Sequence, residues 1–407
     1  MRPDPLATLR DLISLPSVNP MGRAAQGPEF FEARVTDYLE RLVQRLELPY
    51  ERQTVAPQRD NLFVRIEPRE PGKNRSLLVL EVHQDTVPVD GMTIDPWRPV
   101  ERDGRIYGRG ACDIKGGMAA LLAAVARLAE SSAADSPTVV LVCTVNEEYG
   151  HTGARAAVEW WNSGRSKIVP RPPDAIVVAE PTLLNAVVAH KGTVRWRLHT
   201  HGRAAHSSRP QLGENAIFRM ADVLAQLEIY QRDVVGLLAE HPLVGRPTIS
   251  VGTIQGGLSA NTVPDRCSIE IDRRVTPGED PAAARQHLID FLAARLPPEV
   301  RVSHDAAELA TTGLHDANNG PLAERLCQTA RSVAGASEKL GVPYGTDASV
   351  FSGAGIPTVV FGPGSIEQAH TADEWLALDQ LALASEVYYQ FAANFAMEDG
   401  NSAVGAA

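Results

Sequence analysis

A chain of 407 residues exceeds what one hydrophobic core usually serves, so two domains are the expectation. Its 39 Lys and Arg against 50 Asp and Glu leave a net charge of −11, which argues against nucleic acid and anionic membranes as partners. Cys112, Cys143, Cys267 and Cys327 form no CxxC pair, so neither a disulfide framework nor a cysteine zinc site is expected. The first twenty residues carry scattered charges and no apolar h-region, and no run approaches the ~18 apolar residues of a membrane span. A reducing, cytoplasmic setting is the simplest expectation.

In chain order, Leu6–Leu15 and Phe30–Leu48 have helical periodicity, separated by Pro16, Pro20 and Gly22. Asn61–Ile66 reads as a short strand and Ser76–Val82 as a continuous apolar one, as in a sheet covered on both faces. Arg105–Tyr107 reads as a further buried strand. Gly116–Leu128, rich in Ala and Leu, reads as a buried helix opened by a glycine pair, and Thr138–Val145 and Ala175–Ala179 as apolar strands. Alternating strands and helices of this kind describe an α/β, doubly wound, mostly parallel sheet.

The pattern changes after Glu180-Pro181. Thr193–Thr200 alternates, Asn215–Leu227 is helical, Thr248–Ile254 and Cys267–Ile271 alternate, Pro281–Leu296 is an amphipathic helix and Val300–Ser303 a short strand. Strand, helix, strand, strand, helix, strand is the order of a small α+β, ferredoxin-like domain with one exposed sheet face, placed at Val187–Asp305. The first pattern then resumes with helix Asn319–Ala334, strand Pro357–Phe361 and helix Asp379–Phe395. The expected main domain is therefore discontinuous, 1–186 and 306–407, and the tail from Ala396 is expected to fray.

Ligand-forming residues gather just past the apolar strands: His83, Glu147 with Glu148, Glu180 and, after a short loop, His370. Asp113 lies in the loop before the glycine pair. In open α/β sheets function collects beyond the carboxyl ends of the strands. A set of His, Asp and Glu without cysteine suits a carboxylate-bridged pair of zinc-type ions, and cobalt or manganese would tolerate the same donors. Asp113, short and flanked by glycines, is the natural bridge. Such a pair brings the pKa of a shared water towards ~7, and a carboxylate that binds no metal must take its proton. Glu147 and Glu148 offer that division, because neighbours at a strand end point in different directions.

His83-x-Asp85, Gly108-Arg109-Gly110-x-x-Asp113-x-Lys115-Gly116-Gly117, Glu147-Glu148, Glu180-Pro181 and Ala369-His370-Thr371-x-x-Glu374 resemble the signatures of the dinuclear-zinc amidohydrolases and peptidases. That family includes acetylornithine deacetylase, succinyl-diaminopimelate desuccinylase, aminoacylase and carboxypeptidase G. The resemblance spans about Leu6 to Phe395. It implies that His83 and Glu180 bind one of two Zn2+ ions, Glu148 and His370 the other, and that Asp113 bridges. It implies Glu147 as general base and then acid, and Asp85 as the group that orients His83.

In the inserted segment, Gly202-x-x-Ala205-His206-Ser207-Ser208-x-Pro210 resembles the family's lid, where a partner subunit's histidine stabilises the oxyanion; His206 is the matching residue. The resemblance thus implies a homodimer through a lid and dimerisation domain. Asn261, after Gly256-Gly257, matches an amide donor to substrate, and Arg274, three before Pro277, the holder of the substrate carboxylate, with Arg273 beside it. Gly345-Thr346-Asp347-Ala348 and Gly362-Pro363-Gly364 match loops of the site wall. Glu rather than Asp at 180 implies deacylases or carboxypeptidases over aminopeptidases. The implied substrate is a small N-acyl-L-amino acid or short peptide, and a non-catalytic binder on the same scaffold is the contrasting reading. His199 and His201 match nothing and are expected to be solvated. Cys112, beside a carboxylate rather than a base, reads as a structural thiol.

Overall fold

The computed structural model describes residues 3–68, 75–131 and 136–396; the expectation of a frayed tail falls on 397–407, outside them. Two compact units divide the chain. The first comprises 1–188, 316–340 and 346–407, the second 189–315 and 341–345. These junctions fall at 188/189 and 315/316, later than the expected 186/187 and 305/306.

An eight-stranded sheet, in the first unit but for the last residues of its strands Ala186–His190 and Lys339–Val342, runs in the order Tyr50–Ala56, Arg59–Ile66, Thr138–Thr144, Leu77–His83, Ala175–Val178, Thr358–Val360, Ala186–His190, Lys339–Val342. The four central strands are parallel. Leu77–His83 is buried along its whole length, because helices cover the sheet. From this strand the chain winds first to Thr138–Thr144 on one side, then to Ala175–Val178 on the other. Winding reverses at Leu77–His83, and a crevice opens at its carboxyl end, where His83 stands.

Helix Lys115–Ser131 is buried almost all round. Gly116 at its start has a packing reason: a Cβ there would lie 2.3 Å from Leu376 and 2.5 Å from the Ala111 carbonyl. Arg105–Tyr107 does not join the main sheet, contrary to its reading as a buried strand on a par with Leu77–Val82. It pairs with Val100–Arg102 and Trp375–Ala377 in a separate three-stranded sheet. Three residues with two buried side chains, Ile106 and Tyr107, carry too little pattern to say which sheet they join. The second predicted helix is also shorter, Ala33–Arg45.

The second unit has the antiparallel strand order Thr248–Gly256, Arg266–Val275, Gly192–His201, Arg301–His304, with Leu309–Thr311 also on Gly192–His201. Helices Ala216–Asp233 and Pro281–Arg295 supply Met220, Val223, Leu227, Leu288 and Leu292 to a core with Trp196, Leu198, Ile269 and Ile271. Along Arg266–Val275 every second residue is buried, as one covered sheet face requires.

Candidate metal centre

His83 ends its strand with Nδ1 3.0 Å from the backbone carbonyl of Asp85 and 3.5 Å from its carboxylate. A carbonyl only accepts, so Nδ1 donates and the Nε2 lone pair of the neutral ring is left for a ligand. Nε2 lies 3.1 Å from Asp113 Oδ1 and 3.8 Å from Glu180 Oε1. On the other side of Asp113, His370 Nε2 is 3.4 Å from Oδ2 and 3.4 Å from Glu148 Oε2. The two oxygens of one carboxylate thus face two imidazoles, each with its own glutamate. Ligand atoms of His83, Asp113 and Glu148 lie within 4.8 Å of one another, as do those of His83, Glu147 and Glu180.

Asp85 holds more than His83. Its carboxylate accepts the amides of Glu147 (3.1 Å) and Glu148 (3.2 Å), and Asn19 Nδ2 donates to it at 2.7 Å. One buried acid therefore sets the backbone of both glutamates. The Asp113 loop is held by Glu374, which accepts from the amides of Gly110, Cys112 and Asp113 at 2.9–3.0 Å and from Arg109 Nη1 at 2.6 Å. Gly362 lets its loop pass against Glu180: a Cβ there would sit 2.6 Å from the Glu180 carbonyl.

Burial raises the pKa of Glu180 well above the ordinary carboxylate value, and the Asp113 carboxylate adds to the effect. Burial likewise pushes Glu147 well up; His83 opposes this, while Glu180, Asp347 and Glu148 reinforce it. Burial would depress His370, yet hydrogen bonds to Asp113 and Glu148 lift it to about 11. Asp113 goes the opposite way from burial alone, held low by His370 and His83. Four carboxylates crowd two imidazoles here, and Glu148 Oε1 is buried without a hydrogen-bond partner among the described residues. Uncompensated buried anions of this kind fit divalent cations, and an all N/O donor set fits zinc, cobalt or manganese.

The predicted residues of the inserted segment lie in the second unit. His206 is exposed on the short strand Ala205–His206, its Nδ1 2.8 Å from Ser208 Oγ. Asn261 is exposed and accepts the Ser259 hydroxyl at 2.7 Å. Arg273 and Arg274 point oppositely: Arg273 is buried and committed to Glu279, whereas Arg274 is 31% exposed and pairs with Asp272 at 2.8 Å. His199 is not solvated as expected. It is buried, with Nδ1 2.7 Å from Ser268 Oγ on the neighbouring strand Arg266–Val275 and Nε2 2.9 Å from Asp305, just past the strand Arg301–His304 on the other side. His201 is partly buried, 2.7 Å from Ser303 Oγ. Cys112 is buried, its thiol pushed well up by burial and by Glu374 and Asp113, and it donates to the Ser365 carbonyl.

Sequence reasoning gave no role to Asn19, Glu374 or His151, and read Asp347 only as part of a site-wall loop. Glu374 stood inside the His370 motif. Asn19 and His151 carry no local signal, since their partners are 66 and 196 residues away.

Residues 79–394 match the family profile described as peptidase family M20/M25/M40. An acetylornithine deacetylase of Myxococcus xanthus is 33% identical over 327 residues, 80% of this chain and 81% of its own. One from Vibrio cholerae is 32% identical over 387 residues, covering 93% and 94%. Among solved structures, an M20-family metallo-carboxypeptidase from Sulfolobus solfataricus superposes with a TM-score of 0.76 at 19% identity over 96% of this chain and 98% of that one. A dinuclear metal-binding M20 peptidase from Bacillus subtilis gives 0.65 at 18% identity, covering 96% of each. This chain, with His83, Asp113, Glu148, Glu180 and His370 on one sheet rim, is a hydrolase and belongs to peptidase family M20/M25/M40.

Proposed function

We propose that the enzyme removes the acyl group from N-acyl-L-amino acids, acetylornithine or succinyl-diaminopimelate foremost, with two zinc ions. His83 and Glu180 would hold one ion and Glu148 and His370 the other, with Asp113 shared between them. Such a pair, when bound, supplies Lewis acidity and a water that ionises near pH ~7. Glu147 takes one proton of the attacking water and returns it to the leaving nitrogen, the C–N bond breaks, and the second proton passes from the new acid to the amine, giving a carboxylate and an ammonium group. Asp85 holds Glu147 and Glu148 by their amides and His83 by its ring. His206 stabilises the oxyanion from a partner subunit of a homodimer, Asn261 donates to the substrate amide, and Arg274 takes the α-carboxylate.

The observation that carries this reading is Asp113, whose two oxygens each face a different imidazole. The acetylornithine deacetylases among the relatives support deacylation over a carboxypeptidase activity of the same mechanism. The test is metal content together with a panel of acetyl-, succinyl- and peptide-capped amino acids assayed with added zinc or cobalt. Near two equivalents of zinc and fastest turnover of an acylated amino acid are expected; one equivalent or none, or preference for the peptides, overturns the reading. For His206, mixed dimers of His206→Ala and Glu147→Ala subunits should regain part of the activity. No rescue in verified mixed dimers removes its action from the partner.

A further inference from the structure

Behind Glu147 lies a buried group the mechanism does not use. Asp347, 0% exposed, stands at the start of helix Ala348–Gly353 in the first unit. Its Oδ1 lies 2.7 Å from His151 Nδ1, and its Oδ2 lies 3.1 Å from Thr144 Oγ1, whose hydroxyl donates to buried Glu81. Thr144 is the last residue of the strand before Glu147, and His151 is four residues after it. One carboxylate therefore holds His151 at one end of the segment that carries Glu147 and Glu148 and lies against Thr144 at the other.

The segment is bent to allow this. Asn146 and His151 both have left-handed backbones, φ 62° and 54°, and the His151 amide closes back on the Asn146 carbonyl at 2.7 Å. Left-handed backbone at non-glycine residues is strained and persists where surroundings over-determine it. Here the bend brings the His151 ring within 3.8 Å of Glu147 Oε1 while the ring is held by Asp347. Asp85 fixes the Glu147 backbone from one side; His151 is the neighbour that limits its carboxylate from the other.

We propose that Asp347 is a positioning residue that, by bonding His151 at the far end of the Glu147 segment, holds the Glu147 carboxylate in the orientation that receives the proton of water. The inference rests on the reading of Glu147 as general base.

The test uses the zinc-loaded enzyme with N-acetylornithine or the panel substrate turned over fastest. Asp347→Asn keeps the shape and loses a charged acceptor; His151→Asn removes the ring. Asp347→Asn should lower kcat about tenfold or more, the usual weight of a supporting contact, with KM within about twofold and metal content unchanged. Placed on Glu147→Ala, either substitution should cost no further turnover, because its effect passes through the missing carboxylate. A structural role alone would lower turnover in both backgrounds alike. Equal losses in both, wild-type kcat in Asp347→Asn, or loss of bound metal overturns the proposal. Should Asp347→Asn not fold, His151→Asn carries the same comparison. Wild-type turnover in Glu147→Ala alone would remove the base itself, and this proposal with it.

Discussion

At the rim of the eight-stranded sheet, the side chains of His83, Asp113, Glu147, Glu148 and Glu180 are no more than 10% exposed, and acids outnumber bases. On the open face of the second unit's sheet, Arg195 pairs with Asp272 and Arg197 with Glu270 at 2.6 Å, all 23–48% exposed. These surface charges are matched by opposite charge, with Arg274 also on Asp272 and Glu308 also near Arg197, and they stay wet, so each pair contributes about 0–1 kcal/mol. The rim leaves negative charge out of water without protein cations enough to match it. That imbalance would be a defect in a purely structural sheet; it fits a site assembled to receive cations.

The comparison breaks most sharply at Glu147. Glu147→Ala should keep its metals and lose about 10²-fold or more in turnover, measured as kcat beside bound zinc. Loss of metal instead would make Glu147 a ligand and change the charge account of the rim. A smaller effect is expected one layer out: Glu374→Gln keeps an acceptor for the Asp113 loop but unpairs the charge of buried Arg109, and should weaken metal binding about 10- to 100-fold in chelator competition. Unchanged affinity would mean the loop holds its shape without the acid.

The smallest effect belongs to the second unit. Burial, then Arg285 and His199, lowers His304 from 6.5 to about 4, and its Nδ1 accepts from Trp196 at 3.2 Å. Between pH 4 and 6.5 the unfolded chain binds the extra proton, so this contribution is whole above pH 6.5 and fades as pH falls towards 4. On a partly exposed ring it amounts to on the order of 1 kcal/mol after screening. Urea melts at pH 7 and pH 4.5 should show a smaller acid-induced loss in His304→Gln than in the unsubstituted protein; an equal loss would place the sensitivity at the rim.

Much of the rim was legible because its residues abut strongly patterned strands. His83 and Glu180 follow runs with no polar interruption but Glu81, and a run so apolar has to lie inside a covered sheet. Tyr50–Ala56 escaped notice because its edge position leaves it half polar, and Arg105–Tyr107 misled because three residues cannot name their sheet. The exposed face of Gly192–His201 hid the opposite error: His199 sits at an outward position of an alternating strand, yet cross-strand partners bury it.

What the chain order determined by itself is the periodicity of its strands and helices and the kinds of donor that follow them, since both are local consequences of side-chain chemistry. Which oxygens of Asp113 meet which imidazole, that Asp85 grips the amides of Glu147 and Glu148, and that Glu374 closes a loop about 260 residues away were decided only in three dimensions. Hydrogen bonds and buried charge act over a few ångströms of space, and the winding of the sheet, not distance along the chain, sets which groups come that close.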